Sequence, residues 1–156
     1  MLSQKAKYAF RALLVLAANA DDAAPTSILD IAEREQLSRK FLEAILVELR
    51  DAGIVTSERG RRGGYRLARP ATAIRFSDVI RAIDGPLAPT LCASRTKYAP
   101  CEDCLDVETC AIRWAMIRAR DAIAAALDDC TLADALRKQK AAIARRAPRR
   151  RRGAKT

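Results

Sequence analysis

The chain contains no histidine. Mixed cysteine–histidine metal sites are therefore excluded. Aromatic residues make up only 4% of the sequence while half is apolar, so a core must be built mainly from Ala, Leu, Ile and Val. No run of about eighteen uncharged apolar residues occurs, so no membrane-spanning helix is expected. The N-terminal stretch "MLSQKAKYAFRALLVLAANADDAA" puts basic residues before a short apolar run, as a secretory signal does. Arg11 breaks that run, and the pattern reads as an amphipathic helix. A cytoplasmic location is expected, and there thiols stay reduced. Paired carboxylates, a nucleophile–base set and a phosphate-cradling glycine loop are all missing; "GRRGG" is a hairpin tip. The sequence is not that of an enzyme. Acids are missing from residues 137–156, which hold ten Lys or Arg. The whole chain has 29 bases and 19 acids, so residues 1–136 carry 19 of each and the net charge of +10 lies in the tail. Any nucleic-acid contact from the body must come from a local patch.

At 156 residues the chain suits one small domain with an extension. Residues 3–18 place Tyr8, Leu13 and Leu16 on one face of a helix, with Lys5, Lys7 and Arg11 elsewhere. After the loop "NADDAAP", Thr26 or Ser27 can cap a helix over "ILDIAEREQ". Ser38 can cap the next, where Phe41, Leu42, Ile45, Leu46 and Leu49 recur at three- and four-residue spacing until Gly53 stops it. Helix, short turn, helix is the spacing of a helix-turn-helix. Ile54 and Val55 open one strand, and Tyr65 and Leu67 alternate with Arg66 in a second. The glycines of "ERGRRGG" permit a tight hairpin between them. A helix-turn-helix followed by a basic hairpin is the winged-helix arrangement.

"FSDVIRAIDGP" (76–86) predicts a short helix capped by Ser77. Pro89 and Pro100 mark the cysteine segment 91–110 as a loop. Glu108 to Leu127 is strongly helical, and Ile112, Met116, Ala119 and Ile123 form an apolar stripe along it. So small a body would leave that stripe uncovered, which predicts a two-fold partner helix. "TLADAL" (131–136) predicts a short capped helix. The fold class is mostly α with a small β-hairpin wing: a winged helix-turn-helix plus a long dimerisation helix. Residues 1–86 form the DNA-binding domain and 87–110 the cysteine-rich loop. Residues 108–136 supply the dimerisation helix and a short C-terminal helix, and 137–156 a basic, largely disordered tail.

In a helix-turn-helix the first residues of the second helix reach base edges in the major groove. Here these are Ser38, Arg39, Lys40 and Glu43. Arg can fork to guanine, Ser can bond either base, and Glu can accept from cytosine. Arg59, Arg61 and Arg62 of the wing would take phosphates or enter the minor groove. Either segment alone could equally be a solvated surface. Their order and spacing together point to double-stranded DNA.

Cys92, Cys101, Cys104 and Cys110 follow the spacing C-x8-C-x2-C-x5-C, with the acids Glu102, Asp103, Asp106 and Glu108 among them. Four thiolates in one loop can hold an iron–sulfur cluster or a tetrahedral zinc. A structural zinc site more often pairs two C-x2-C units, and this chain has one. The Cys101/Cys104 pair could instead be a redox dithiol, but that motif wants a helix N-terminus after a strand. Free surface thiols or small buried residues are the bland alternatives. Cys130, beyond the long helix, reads as a packing cysteine.

Four segments resemble the IscR/NsrR/RirA-type winged-helix regulators, the Rrf-two family: "KAKYAFRALLVLA", "LSRKFLEAILVELRDAGIVTSERGRRGGYRLARP", "FSDVIRAIDGP" and "CAIRWAMIRARDAI". The resemblance covers about residues 1–136. It implies a homodimer crossed by the long helix and an iron–sulfur cluster held by three cysteines beside that helix. It further implies promoter binding, usually as a repressor, that changes with cluster state in response to iron, redox state or nitric oxide. By position, Cys92 matches the first of the family's cysteines, and Cys104 and Cys110 the last two. Cys101 is an extra cysteine. Some members complete the cluster with a histidine three residues past the last cysteine, where this chain has Arg113, or with an acid in the first helix, where it has Lys7. Neither substitute offers a lone pair, so Cys101 is the candidate fourth ligand. Family members hold two-iron or four-iron centres, and some relatives have no cysteines and sense through a protein partner.

Overall fold

The computed structural model describes residues 2–60, 63–102, 104 and 106–146. Three helices open the chain: α1 (Gln4–Ala18), α2 (Ile28–Glu35) and α3 (Arg39–Asp51). A hairpin of β1 (Val55–Glu58) and β2 (Gly64–Leu67) follows, then α4 (Phe76–Ile83), α5 (Ala111–Asp128) and α6 (Leu132–Arg146). Short 3-10 turns lie at Ala71–Ala73 and Leu91–Ala93. This is a winged helix-turn-helix continued by a long helix, as the patterning predicts.

Local chemistry sets the boundaries of the head. Ser27 Oγ accepts the Asp30 amide at 3.1 Å, and Ser38 Oγ accepts the Phe41 amide at 3.2 Å, so each helix of the helix-turn-helix begins at a serine cap. Between them Gln36 turns the chain in the left-handed region (φ 52°), and the Leu37 amide reaches back to the Ala32 carbonyl at 2.9 Å. Gly53, at φ 68°, ends α3.

One hydrophobic core joins these elements. It includes Leu13 and Leu16 of α1, Ile31 of α2, and Leu42, Ile45, Leu46 and Leu49 of α3. Ile54 and Val55, Ile74, Val79 of α4 and Leu132 of α6 complete it. α1 is buried on more of its circumference than a single stripe, because Ala6, Ala9, Ala12 and Ala17 let neighbours approach closely. Phe10 of α1 stacks on Phe76 of α4, with centroids 4.3 Å apart.

The wing pairs Val55 with Leu67 through to Glu58 with Gly64. Thr26 adds a third position: its amide donates to Tyr65 O at 3.1 Å and its carbonyl accepts the Tyr65 amide at 2.8 Å. This contact explains a glycine. A Cβ at residue 64 would lie 2.4 Å from the Thr26 carbonyl oxygen.

Three details differ from the sequence reading. Ser77 does not cap α4; it is wholly buried in the first turn, and the Asp78 carboxylate accepts the Arg75 amide at 3.2 Å instead. α5 starts at Ala111, with Cys110 as its cap, rather than at Glu108. α6 does not stop at Leu136. Residues 137–146, read from sequence as part of a basic, largely disordered tail, are helical, since Arg, Lys, Gln and Ala are strong helix formers and Thr131 Oγ1 fixes the start by accepting the Asp134 amide at 3.2 Å. Residues 147–156 lie outside the described residues. No helix among the described residues is long and apolar enough to cross a membrane.

Candidate nucleic-acid interface and thiol site

The start of α3 stands at the surface. Arg39, Lys40 and Glu43 are exposed, and Ser38 beside them spends its hydroxyl oxygen on the cap. Phe41, at 39% exposure, is braced by an edge-on contact with Tyr8, ring centroids 5.7 Å apart. The wing arginines divide into two kinds. Arg66 is held internally: it donates to the Asp22 and Ala23 carbonyls and pairs with Glu58 at 3.1 Å. Arg69 pairs with Asp78 at 3.1 Å. Arg59 is exposed near the hairpin tip, while Arg61 and Arg62, like Asp103 of the acidic loop, lie outside the described residues.

The thiol loop is anchored at both ends. Cys92, 6% exposed, sits in the Leu91–Ala93 turn with its Sγ 3.2 Å from Thr90 Oγ1. That hydroxyl draws the Cys92 thiol below the usual thiol range; burial opposes it, and the Cys101 thiol and the Arg113 charge assist. Cys104 moves the other way. Burial pushes its thiol up, helped by its hydrogen bond with Cys110 and by the neighbouring Cys110 and Cys92 charges. Cys110 Sγ caps α5 by accepting the Arg113 amide at 3.4 Å. Among the described residues, no group of three or more cysteine or acidic side chains is closed tightly enough to hold a metal ion. Asp106 orders the turn before α5, accepting the Glu108 amide at 3.0 Å and the Thr109 hydroxyl at 2.7 Å. Cys130 is exposed, contrary to the expectation of a packing cysteine, because it falls in the connection between α5 and α6 rather than on a helix face.

No residue of α5 is fully buried. Its inner face reaches the body through Arg113 and Arg120, which donate to the Cys92 and Ala93 carbonyls. Its outer face leaves Ile112 at 69% and Ile123 at 40% exposure, with Met116 and Ala119 half-buried between them. Beside Ile123 an apolar cleft of about 740 Å³ opens against Leu2, Phe10, Phe76, Ile80 and Leu127.

A capped helix-turn-helix, a hairpin wing and a trailing long helix define a winged-helix transcriptional regulator. The family model Rrf2, described as an iron-dependent transcriptional regulator, matches residues 2–138. The chain belongs to the Rrf2 family. It is a DNA-binding transcriptional regulator and not an enzyme. An rrf2-like HTH-type transcriptional regulator of Rhodobacter capsulatus is 44% identical over 138 residues, covering 87% of this chain and 92% of that one. The structure of CymR, the global cysteine regulator of B. subtilis, is 35% identical with a TM-score of 0.70, over 88% of this chain and 97% of that chain. A T. potens IscR structure has the same TM-score at 29% identity, over 100% of this chain and 93% of that chain.

Sequence reasoning missed Thr26, Thr90, Arg113 and Arg120 as structural partners of the wing and the loop. For the two arginines a signal existed: seven residues apart, they share one face of α5 away from the apolar stripe.

Proposed function

We propose that this regulator binds double-stranded DNA as a homodimer and holds an iron–sulfur cluster on Cys92, Cys101, Cys104 and Cys110. The cluster's state then governs promoter binding, in the manner of a repressor. The observation that carries the reading is Cys110 at the cap of α5 with the Cys92 turn tied to the same helix through Arg113, and Cys101 and Cys104 in the loop between them. The donor chemistry fits. All four are soft sulfur ligands; the Arg113 amide donates to Cys110 Sγ, and Thr90 Oγ1 lies within hydrogen-bond reach of Cys92 Sγ. When bound, a cluster supplies a centre that oxygen, nitric oxide or iron shortage can alter. The family model's description as iron-dependent supports the same reading. The finer roles follow from position: Arg39 and Lys40, with Ser38 and Glu43, read bases, while Arg59, Arg61 and Arg62 hold the backbone. Ile112, Met116, Ala119 and Ile123 form the dimer seam.

The test is to purify the full chain without oxygen and record its visible spectrum and its iron, sulfide and zinc content. Brown protein with iron and sulfide, lost in the Cys92→Ala, Cys104→Ala and Cys110→Ala variants, supports the cluster. Colourless protein with one zinc per chain contradicts it. Cys101→Ala should shift or destabilise the chromophore, and Cys130→Ala should leave it unchanged.

A further inference from the structure

The turn that carries Cys92 is tied to α5 by two arginines. Arg113 donates from Nε to the Cys92 carbonyl at 3.0 Å, and Arg120 donates from Nη1 to the carbonyl of the next residue, Ala93. The backbone amide of Arg113 also donates to Cys110 Sγ at 3.4 Å. One residue therefore grips the first and the last cysteine of the loop. The side chain of Arg120 is only 13% exposed, and Arg113 is half-buried, so water competes weakly for these donors. The turn's own bonds are few: Ala93 to Thr90 at 3.1 Å, Ser94 to Leu91 at 3.0 Å and Ala99 to Leu91 at 3.4 Å. α5 is the helix it packs against. Hydrogen bonds from a charged donor are roughly twice as strong as neutral ones, so the Arg113 bond is a main restraint on where Cys92 sits.

We propose that Arg113 is a positioning residue of the thiol site, resting on the reading of the four cysteines as a cluster site. It fixes the Cys92 turn and the Cys110 cap to the first turns of α5, so that two sulfurs distant in sequence are preassembled and a change in the loop is felt by the helix. Arg120 supports the same turn but touches no sulfur. Lysine can take over only in part, since a single ammonium on a flexible stem lacks the planar guanidinium that reaches the carbonyl at fixed geometry.

The test uses the full chain and its Arg113→Ala and Arg113→Lys variants. In chelator-stripped, reduced protein, iodoacetamide labelling of Cys92 and Cys130 is followed by peptide mass. Arg113→Ala should label Cys92 faster by roughly tenfold, the population change that loss of one charge-assisted hydrogen bond allows, and this outweighs the loss of thiolate on removing the Arg113 charge, the smallest of the causes that lower the Cys92 thiol. Arg113→Lys should recover only part of the protection, and Cys130 should label equally in all three. In the loaded protein, Arg113→Ala should shorten cluster lifetime in air and alter the visible circular dichroism. Unchanged Cys92 labelling in Arg113→Ala overturns the proposal, as does full recovery in Arg113→Lys. Should Arg113→Ala lose helical signal, the Arg113→Lys comparison decides alone. If wild-type protein takes up no iron, the cluster reading fails, while the labelling result still decides the role of Arg113.

Discussion

Gly64 stands where the backbones of the wing and the α2 approach meet. Gly64→Ala would drive a methyl group to 2.4 Å from the Thr26 carbonyl oxygen and force the Thr26–Tyr65 pairing apart. It should destabilise the fold by about 1–3 kcal/mol, the range of overpacking changes, in urea unfolding. A milder, pH-dependent effect belongs to Asp134. The Thr131 hydroxyl donates to its carboxylate at 2.7 Å and holds its pKa below the ordinary range. The stabilisation from a carboxylate so lowered is present above its unfolded pKa and lost as pH falls through the folded value. Far-UV circular dichroism of Asp134→Asn should therefore show less acid-induced loss of helix than wild type. In the reading head, Arg39→Ala should relax sequence preference by about 1–3 kcal/mol at one base pair. Arg59→Ala should weaken all sequences alike and flatten the salt dependence. Binding isotherms on matched and mismatched duplexes separate the two effects. Operator affinity unmoved by either change would misplace the reading head.

At the scale of elements, α5 carries the strongest expectation. Putting Asp at Ile123 would place an unpaired charge in the apolar seam, at a cost of about 3–5 kcal/mol, and sedimentation should then show monomer. Wild-type protein that sediments as a monomer at micromolar concentration removes the dimer seam. What sequence made legible follows from the range of the forces involved. The serine caps at Ser27 and Ser38 and the stop at Gly53 act within four residues, so the helix-turn-helix could be read directly. Ser77 failed as a cap because its hydroxyl is buried in α4, and burial is a tertiary fact. α6 was read short because its basic run resembled a solvated tail, although the residues themselves favour helix. The wing's arginines look alike in sequence, yet carbonyls of the distant 22–23 loop bind Arg66 and leave Arg59 exposed. The thiol loop has no periodicity to read. Its shape depends on Arg113 and Arg120 reaching across more than twenty residues to the Cys92 turn.

The whole molecule is a neutral body with a strongly basic C-terminal segment. The body packs a reading head, and α5 connects that head's α4 to the cysteine loop, with Arg81 of α4 pairing to Asp128 of α5 at 3.4 Å. A regulator needs two states of one element that a ligand biases unequally. In the proposed cluster switch that element is α5, capped by one candidate ligand, Cys110, and clamped to the turn of another, Cys92. The most direct test of that coupling is a pair of anaerobic fluorescence-anisotropy titrations. Both use one duplex, chosen from random DNA by selection with this protein, with the protein as isolated and after chelator has stripped its iron. The two forms should differ in affinity by about tenfold or more, within the usual span of allosteric coupling, and Cys110→Ala should match the stripped form. Equal affinities for the loaded and stripped forms, at the same salt, would contradict the account.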